Sequence, residues 1–417
     1  MTSPSSAKRR FALHPRLLTV SVGMGIAEFG DIAFLVSLTA SLYMNGGSAA
    51  HVSYGMAAYG LGSLAGAWVG GTLIDRLTPR TWMLVGNLLA ACLVLSNTLT
   101  NYLPAVILFA GLVSMASRAM LVGQQTCLPL VDPESSLRSN STVMVFRRIG
   151  QLSGPGLAGV LVATDNLDWV YALNAVTFTA AGIAAYIAIP LGSLEIEPGA
   201  SKRGSLSYIL HNRAVRTSFI VNSVTGIMSG VSSVSIVVFT GEMLHGGAED
   251  YGILTTFSAV GAVLGTLTAG WLGKRLPVQY GTALAMGIGS LAIALLPAVS
   301  SLVLAGPLRA ATGWAINVLF ILLMATLHEG APPALRGRVT ASTRSGQDVL
   351  VIVCTMLSGA VVAQLSVSWL LLGVGLLGVG CAIGLGLSRH PYDWNSTDVD
   401  SPALDDVQTT EPRQATT

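Results

Sequence analysis

The 417-residue chain is 52% hydrophobic and only 10% charged, and its mean hydropathy of +0.66 lies well above that of a soluble globular domain. Its 22 Lys and Arg against 20 Asp and Glu leave a net charge of +2, too little to form the electrostatic footprint of a nucleic-acid binder. Apolar stretches such as 369–387 run without a period of two, which excludes a membrane β-barrel and points to lipid-embedded helices.

The polar stretch 1–15 carries Lys8, Arg9 and Arg10. The apolar segment after it is too long for a cleaved signal and contains Glu28 and Asp31, so it reads as a first permanent span. Breaks at charged residues and at Gly, Pro and Asn place spans at 17–43, 52–74, 81–100, 103–128, 142–163 and 168–190, then at 216–240, 252–273, 279–298, 301–326, 346–366 and 368–388. The expected fold is therefore an all-α integral membrane protein of 12 transmembrane helices. A polar linker, 191–215, joins a six-helix half at 16–190 to another at 216–388, and 389–417 reads as a disordered tail. Cys92, Cys127, Cys354 and Cys381 all lie in apolar stretches, and no Cys/His spacing suggests a metal, so no metal or cofactor is expected.

The basic residues test this count independently, because Lys and Arg concentrate in cytoplasmic loops. With both termini in the cytoplasm, loops after even-numbered spans hold residues such as Arg76, Arg80, Arg138, Lys202, Lys274 and Arg336, while loops after odd-numbered spans hold none. Arg147 and Arg148 lie near the cytoplasmic start of span five, and the two exceptions to the pattern are Arg118 and Arg309, within spans four and ten. The halves also repeat. Gly71-Thr72-Leu73-Ile74-Asp75-Arg76-Leu77 matches Gly270-Trp271-Leu272-Gly273-Lys274-Arg275-Leu276, Leu137-Arg138 matches Leu335-Arg336, Arg148-Ile149-Gly150-Gln151 matches Arg344-Ser345-Gly346-Gln347, and Trp169 matches Trp369. Correspondences at nearly one offset describe parallel pseudo-repeats, a transporter architecture.

Two further motifs identify a family. After span two stands Gly71-Thr72-Leu73-Ile74-Asp75-Arg76-Leu77-Thr78-Pro79-Arg80, and span five carries Gly150-x-x-x-Gly154-Pro155-Gly156-Leu157-Ala158-Gly159. The chain resembles the major facilitator superfamily over about residues 15–388, in particular its drug/proton antiporter branch, which includes macrolide-efflux-like and siderophore exporters. In the first signature Thr78 and Pro79 replace a Gly and a basic residue; in the second Ala158 replaces a Gly. The resemblance implies a charge latch at Asp75 and Arg76, with Arg148 and Arg344 as candidate partners. It also implies an antiporter motif at Gly150, Gly154, Pro155 and Gly159, and a cavity built largely by spans one, four, seven and ten. On those spans Gln124, Asn222, Arg309, Trp314 and Asn317 are the substrate-binding candidates.

Ionisable residues at membrane depth cost about 2.5 to 3.5 kcal/mol on insertion scales and default to a functional reading. Glu28 and Asp31, three residues apart, share a helix face. Two such carboxylates resist joint ionisation, and a guanidinium nearby favours the charged form of one. Glu28 is therefore expected to be the main proton carrier and Asp31 a modulator or charge partner. Arg118 resembles the span-four arginine of the branch and is expected to set when the proton leaves. Arg309 is expected either to attract an anionic group on a substrate or to neutralise Asp31. The expected function is proton-coupled export of small amphipathic, drug-like molecules by a monomer in the bacterial cytoplasmic membrane. The alternatives are export of an endogenous metabolite such as a siderophore and, against the span-five motif, uptake by symport. An enzyme is not expected, since the chain has no phosphate loop, metal spacing or nucleophile elbow.

Overall fold

A computed structural model describes residues 15–44, 48–73, 78–100, 102–131, 136–163, 167–190, 205–331 and 333–388. Twelve long helices account for most of them: α1 (Pro15–Met44), α2 (Ala49–Leu73), α3 (Pro79–Leu95), α4 (Leu103–Val131), α5 (Ser136–Ala163), α6 (Leu167–Ala188), α7 (Arg213–Glu242), α8 (Ala248–Arg275), α9 (Val278–Leu295), α10 (Leu302–Gly330), α11 (Pro333–Val362) and α12 (Val367–Leu387). A short linker helix, Ser205–His211, precedes α7. Ten of the long helices satisfy both the length and the apolarity of a membrane span; α2 and α5, at 25 and 28 residues, have the length, but α2 is rich in small Gly and Ala residues and α5 is more polar.

The structure extends α5 and α11 well before the expected starts at 142 and 346, to Ser136 and Pro333. Hydropathy locates the part of a helix that lies in hydrocarbon, whereas backbone hydrogen bonding continues through a polar extension beyond it. Pro333 suits the first position of α11, where its missing N–H would have had no helical partner.

Two compact units can be distinguished. The first comprises α1 to α6 together with Ser233–Ala259 and Thr355–Gln364; the second comprises the linker helix, α9, α10, α12 and the rest of α7, α8 and α11. In the first unit α1 packs on α5 and α6, α2 on α4, and α3 on α6. Within the same unit the Tyr43 hydroxyl donates to Glu242 Oε1 at 3.2 Å, joining the ends of α1 and α7. In the second unit α9 packs on α10 and α12. There the Tyr208 hydroxyl of the linker helix donates to the Gly330 carbonyl at 2.7 Å and satisfies one of the orphan carbonyls at the end of α10.

The duplication is physical as well as textual. A Cβ on Gly62, Gly66 or Gly70 of α2 would meet the carbonyls of Gly111, Met115 or Ala119 on α4. In the second half Gly261 and Gly265 of α8 stand in the same relation to Ala310 and Trp314 of α10. In lipid, helices gain little from hydrophobic exclusion and associate through such close backbone approach. Both halves also end their third helix in a 3₁₀ turn, Ser96–Leu99 and Leu296–Ala298.

The surface is that of a protein in lipid. Large apolar side chains such as Leu267, Ile187 and Leu377 are exposed, as are Trp169 and Trp369 at the matching starts of α6 and α12. Buried hydroxyls return their protons to the helix itself, as Ser21 does to the Leu17 carbonyl at 2.7 Å and Thr225 to that of Val221 at 2.8 Å. No water competes for these groups in the hydrocarbon. Substituting Leu for Gly66 should overpack the α2–α4 seam and destabilise the protein by about 1–3 kcal/mol. Gly373→Leu, at a position with nothing within 4 Å of the added Cβ, should leave the thermal midpoint of the detergent-solubilised protein near that of the wild type.

Candidate functional site

The site starts from the glycines of α1 and α5. A Cβ on Gly150 would meet the Gly25 carbonyl, one on Gly25 would lie 2.7 Å from the Phe146 carbonyl, and one on Gly154 would lie 2.9 Å from that of Phe29. The two backbones therefore run in contact over more than one turn. Gly150 and Gly154, read from the sequence as half of the antiporter motif, are the residues that permit this, and Pro155 lies inside α5 directly after them. Gly159 lies near the end of the same helix. On its other side α1 meets α6, where Gly30 faces Asn174 and Thr177.

This approach brings Arg147 and Gln151, one turn apart on α5, onto the Glu28 carboxylate. Arg147 donates to Glu28 Oε2 through Nη2 at 2.6 Å and through Nε at 2.9 Å. Gln151 Nε2 donates to Oε1. Gln151 is held in turn by Arg148, whose Nη1 donates to its Oε1 at 2.8 Å. Both oxygens of Glu28 thus face donors, and the side chains of Glu28 and Arg147 are each only 16% exposed. Charge-assisted bonds in such surroundings are the stronger kind.

Asp31 has a different environment. The Ser117 hydroxyl of α4 donates to its Oδ2, while Oδ1 is buried with no hydrogen-bond partner among the described residues. Glu28 and Asp31 line a cavity of about 170 Å³ inside the first unit, together with Tyr59 of α2, Asn87 of α3, Arg118 and Gln124 of α4, Arg147 of α5 and Phe178 of α6. The cavity could hold several water molecules among polar partners.

The sequence-derived candidates fall into three groups. Glu28, Asp31, Arg118 and Gln124 come together in this cavity. Asn222, Arg309, Trp314 and Asn317 belong to the second unit. There Trp314 donates its indole N–H to Thr268 Oγ1 at 2.8 Å, Asn317 donates to the Gly313 carbonyl at 3.3 Å, and Asn222 is buried with its amide nitrogen unpartnered among the described residues. Of the latch set, Asp75 and Arg76 lie outside the described residues, Arg148 binds Gln151, and the Arg344 guanidinium lies 4.6 Å from the centre of the Phe320 ring. Sequence reasoning passed over Arg147, Gln151 and Ser117 as site residues. The spacing of Arg147 and Gln151, four apart beside the motif glycines, was the available signal.

Long apolar helices in two parallel repeats, with carboxylates and guanidinium groups lining a cavity among the helices of the first, define a multi-pass membrane transporter. The sequence profile of the Major Facilitator Superfamily matches residues 20–245 and 218–413, and the chain belongs to that family. A curated relative, the enterobactin exporter EntS of Citrobacter koseri, is 26% identical over 359 residues, covering 79% of this chain and 82% of the relative. Among solved structures, the nucleoside transporter NupG superposes with a TM-score of 0.71 at 13% identity, covering 88% of this chain and 98% of that one. An auto-inhibited peptide transporter of the POT family gives 0.71 at 11% identity, covering 89% and 96%. At these identities the structural likeness concerns the fold alone.

Removing one member of the Glu28–Arg147 pair leaves a charge without its counter-ion. Arg147→Gln should destabilise the protein by about 3 kcal/mol. Adding Glu28→Gln should recover much of that loss, giving a strong coupling energy when thermal midpoints of the two single variants and the double variant are compared.

Proposed function

We propose that this chain is a proton-coupled exporter of small amphipathic molecules, working as a monomer by alternating access in a bacterial cytoplasmic membrane with both termini in the cytoplasm. The observation that carries this reading is the cluster of Glu28, Asp31, Arg118 and Arg147, two carboxylates and two guanidinium groups lining one partly open cavity among apolar helices. A carboxyl so placed can take up a proton from one side and release it to the other as the neighbouring charges change position. Entry of one proton down a membrane potential contributes about 2.3 kcal/mol per 100 mV, available to drive a substrate outward. Substrate would enter from the cytoplasm or inner leaflet, and proton entry from outside would return the empty carrier.

Two features support export over uptake: the glycine and proline motif of α5, and the likeness to a protein described as an enterobactin exporter. That relative also favours a second reading, in which the substrate is an anionic, siderophore-like metabolite and Arg309 meets its negative group.

Everted membrane vesicles energised by respiration should decide among these. Challenge with ethidium as a cation, chloramphenicol as a neutral compound and enterobactin as an anion should, for at least one of them, release protons from the lumen, read by a pH-sensitive dye. Vesicles without the protein should show no such release. Release triggered by enterobactin alone would establish the second reading; substrate movement with no proton movement, or with protons moving in the same direction, would overturn antiport.

A further inference from the structure

We propose that the transported proton resides on Asp31 and that Glu28 is a standing carboxylate held by Arg147. This deepens the proton-coupled reading above and rests on it for the role of the proton, though not for where the proton binds.

The argument is one of donors and acceptors. Among the described residues, every polar contact on the Glu28 carboxylate comes from a donor that cannot accept in return: the Arg147 Nε and Nη2 groups on Oε2, and the Gln151 amide nitrogen on Oε1. Guanidinium N–H groups have no lone pair to receive a carboxylic proton, and the amide oxygen of Gln151 is turned to Arg148 while its nitrogen faces Glu28. Protonating Glu28 would break the pair and leave the Arg147 charge uncompensated, an arrangement that buried sites resist.

Asp31 has the opposite chemistry. Its partner, the Ser117 hydroxyl, both donates and accepts, so the same contact serves either charge state by turning the hydroxyl hydrogen around. Its second oxygen, Oδ1, is buried and unpartnered among the described residues. A buried anionic oxygen in that position costs far more than a neutral carboxylic acid.

Among the described residues the charged and titratable groups facing Asp31 are Glu28, Arg147, Arg118 and Tyr59. Glu28 stands one turn earlier on α1, its negative charge already committed to Arg147 of α5. Arg118 follows Ser117 on α4 and lines the same cavity, as does the Tyr59 phenol of α2. From α3 and α6 come Asn87, Phe178 and the Asn174 amide, which reaches toward the Asp31 carboxylate, and none of these titrates. A loaded proton thus sits next to a neutral hydroxyl, with the Arg147 guanidinium as the cation whose field reaches Asp31 and favours release, and Arg118 lining the same cavity. The α1–α5 glycine contact, by fixing Arg147 on Glu28, keeps that acid from competing for the proton.

Infrared difference spectra of the full-length protein in liposomes, taken between alkaline and acidic buffer, test this without any substrate. The wild type should gain the high-frequency carbonyl band of a carboxylic acid in apolar surroundings. Asp31→Asn should lack the band, Glu28→Gln should keep it, and Ser117→Ala should shift its frequency without abolishing it. Loss of the band in Glu28→Gln, or its survival unchanged in Asp31→Asn, would overturn the assignment. The transport arm uses whichever of ethidium, chloramphenicol or enterobactin releases protons from wild-type vesicles. Asp31→Asn should still exchange that compound across the membrane but drop its proton release to the level of vesicles lacking the protein. Glu28→Gln combined with Arg147→Gln should transport more slowly yet still release protons. Wild-type vesicles that release protons, beside Asp31→Asn vesicles that do so equally, would refute the assignment and leave antiport standing. Wild-type vesicles that release none refute antiport, and the infrared band still reports whether Asp31 titrates.

Discussion

A charge in hydrocarbon must be answered by another group of the protein, and the contact between α1 and α5 is how this molecule answers Glu28. Carboxylate and guanidinium meet at 2.6 Å because glycines at 25, 150 and 154 let two backbones touch. A larger residue at any of these positions would push α5 away and separate Arg147 and Gln151 from Glu28. The motif glycines and the ion pair are thus one structural fact seen at two scales, packing below and electrostatics above.

The same reliance on close backbone contact recurs across the molecule. The α2–α4 and α8–α10 seams repeat the same glycine-to-carbonyl relation in both halves, so the ancestral duplication survives where side chains had no room to diverge. Polar positions were freer. Arg80 of α3 lies over the Tyr186 ring at 3.8 Å, whereas its repeat counterpart on α9, Gln279, donates to the carbonyls of Leu385 and Ser388. Each ties the third helix of its half to the end of the sixth, with different chemistry. The acids were freer still: Glu28 and Asp31 have Ile227 and Gly230 near the matching positions of α7, so the polar cavity belongs to the first half as a specialisation of one repeat.

Specialisation of that kind explains how two neighbouring acids can differ in role. They sit three residues apart on one helix, yet Glu28 points to a helix that supplies only donors and Asp31 to one that supplies a hydroxyl. The neighbours distinguish them, since the carboxyl groups themselves are chemically alike.

Much of this protein was legible in its sequence. Hydropathy located the long helices, the distribution of Lys and Arg suggested their orientation, and the spacing of matching segments revealed two parallel repeats, because lipid imposes its demands residue by residue along the chain. The polar starts of α5 and α11 were missed, since a helix can continue after its reason to be apolar has ended. The sequence also singled out Glu28, Asp31 and Arg118 as costly residues, and these do share a cavity. It could not say that Arg147 and Gln151 would hold Glu28, or that Ser117 would meet Asp31. Those pairings depend on the rotation and separation of helices distant in the chain, and these are set by the packing of small residues against backbone carbonyls, which only the tertiary structure decides.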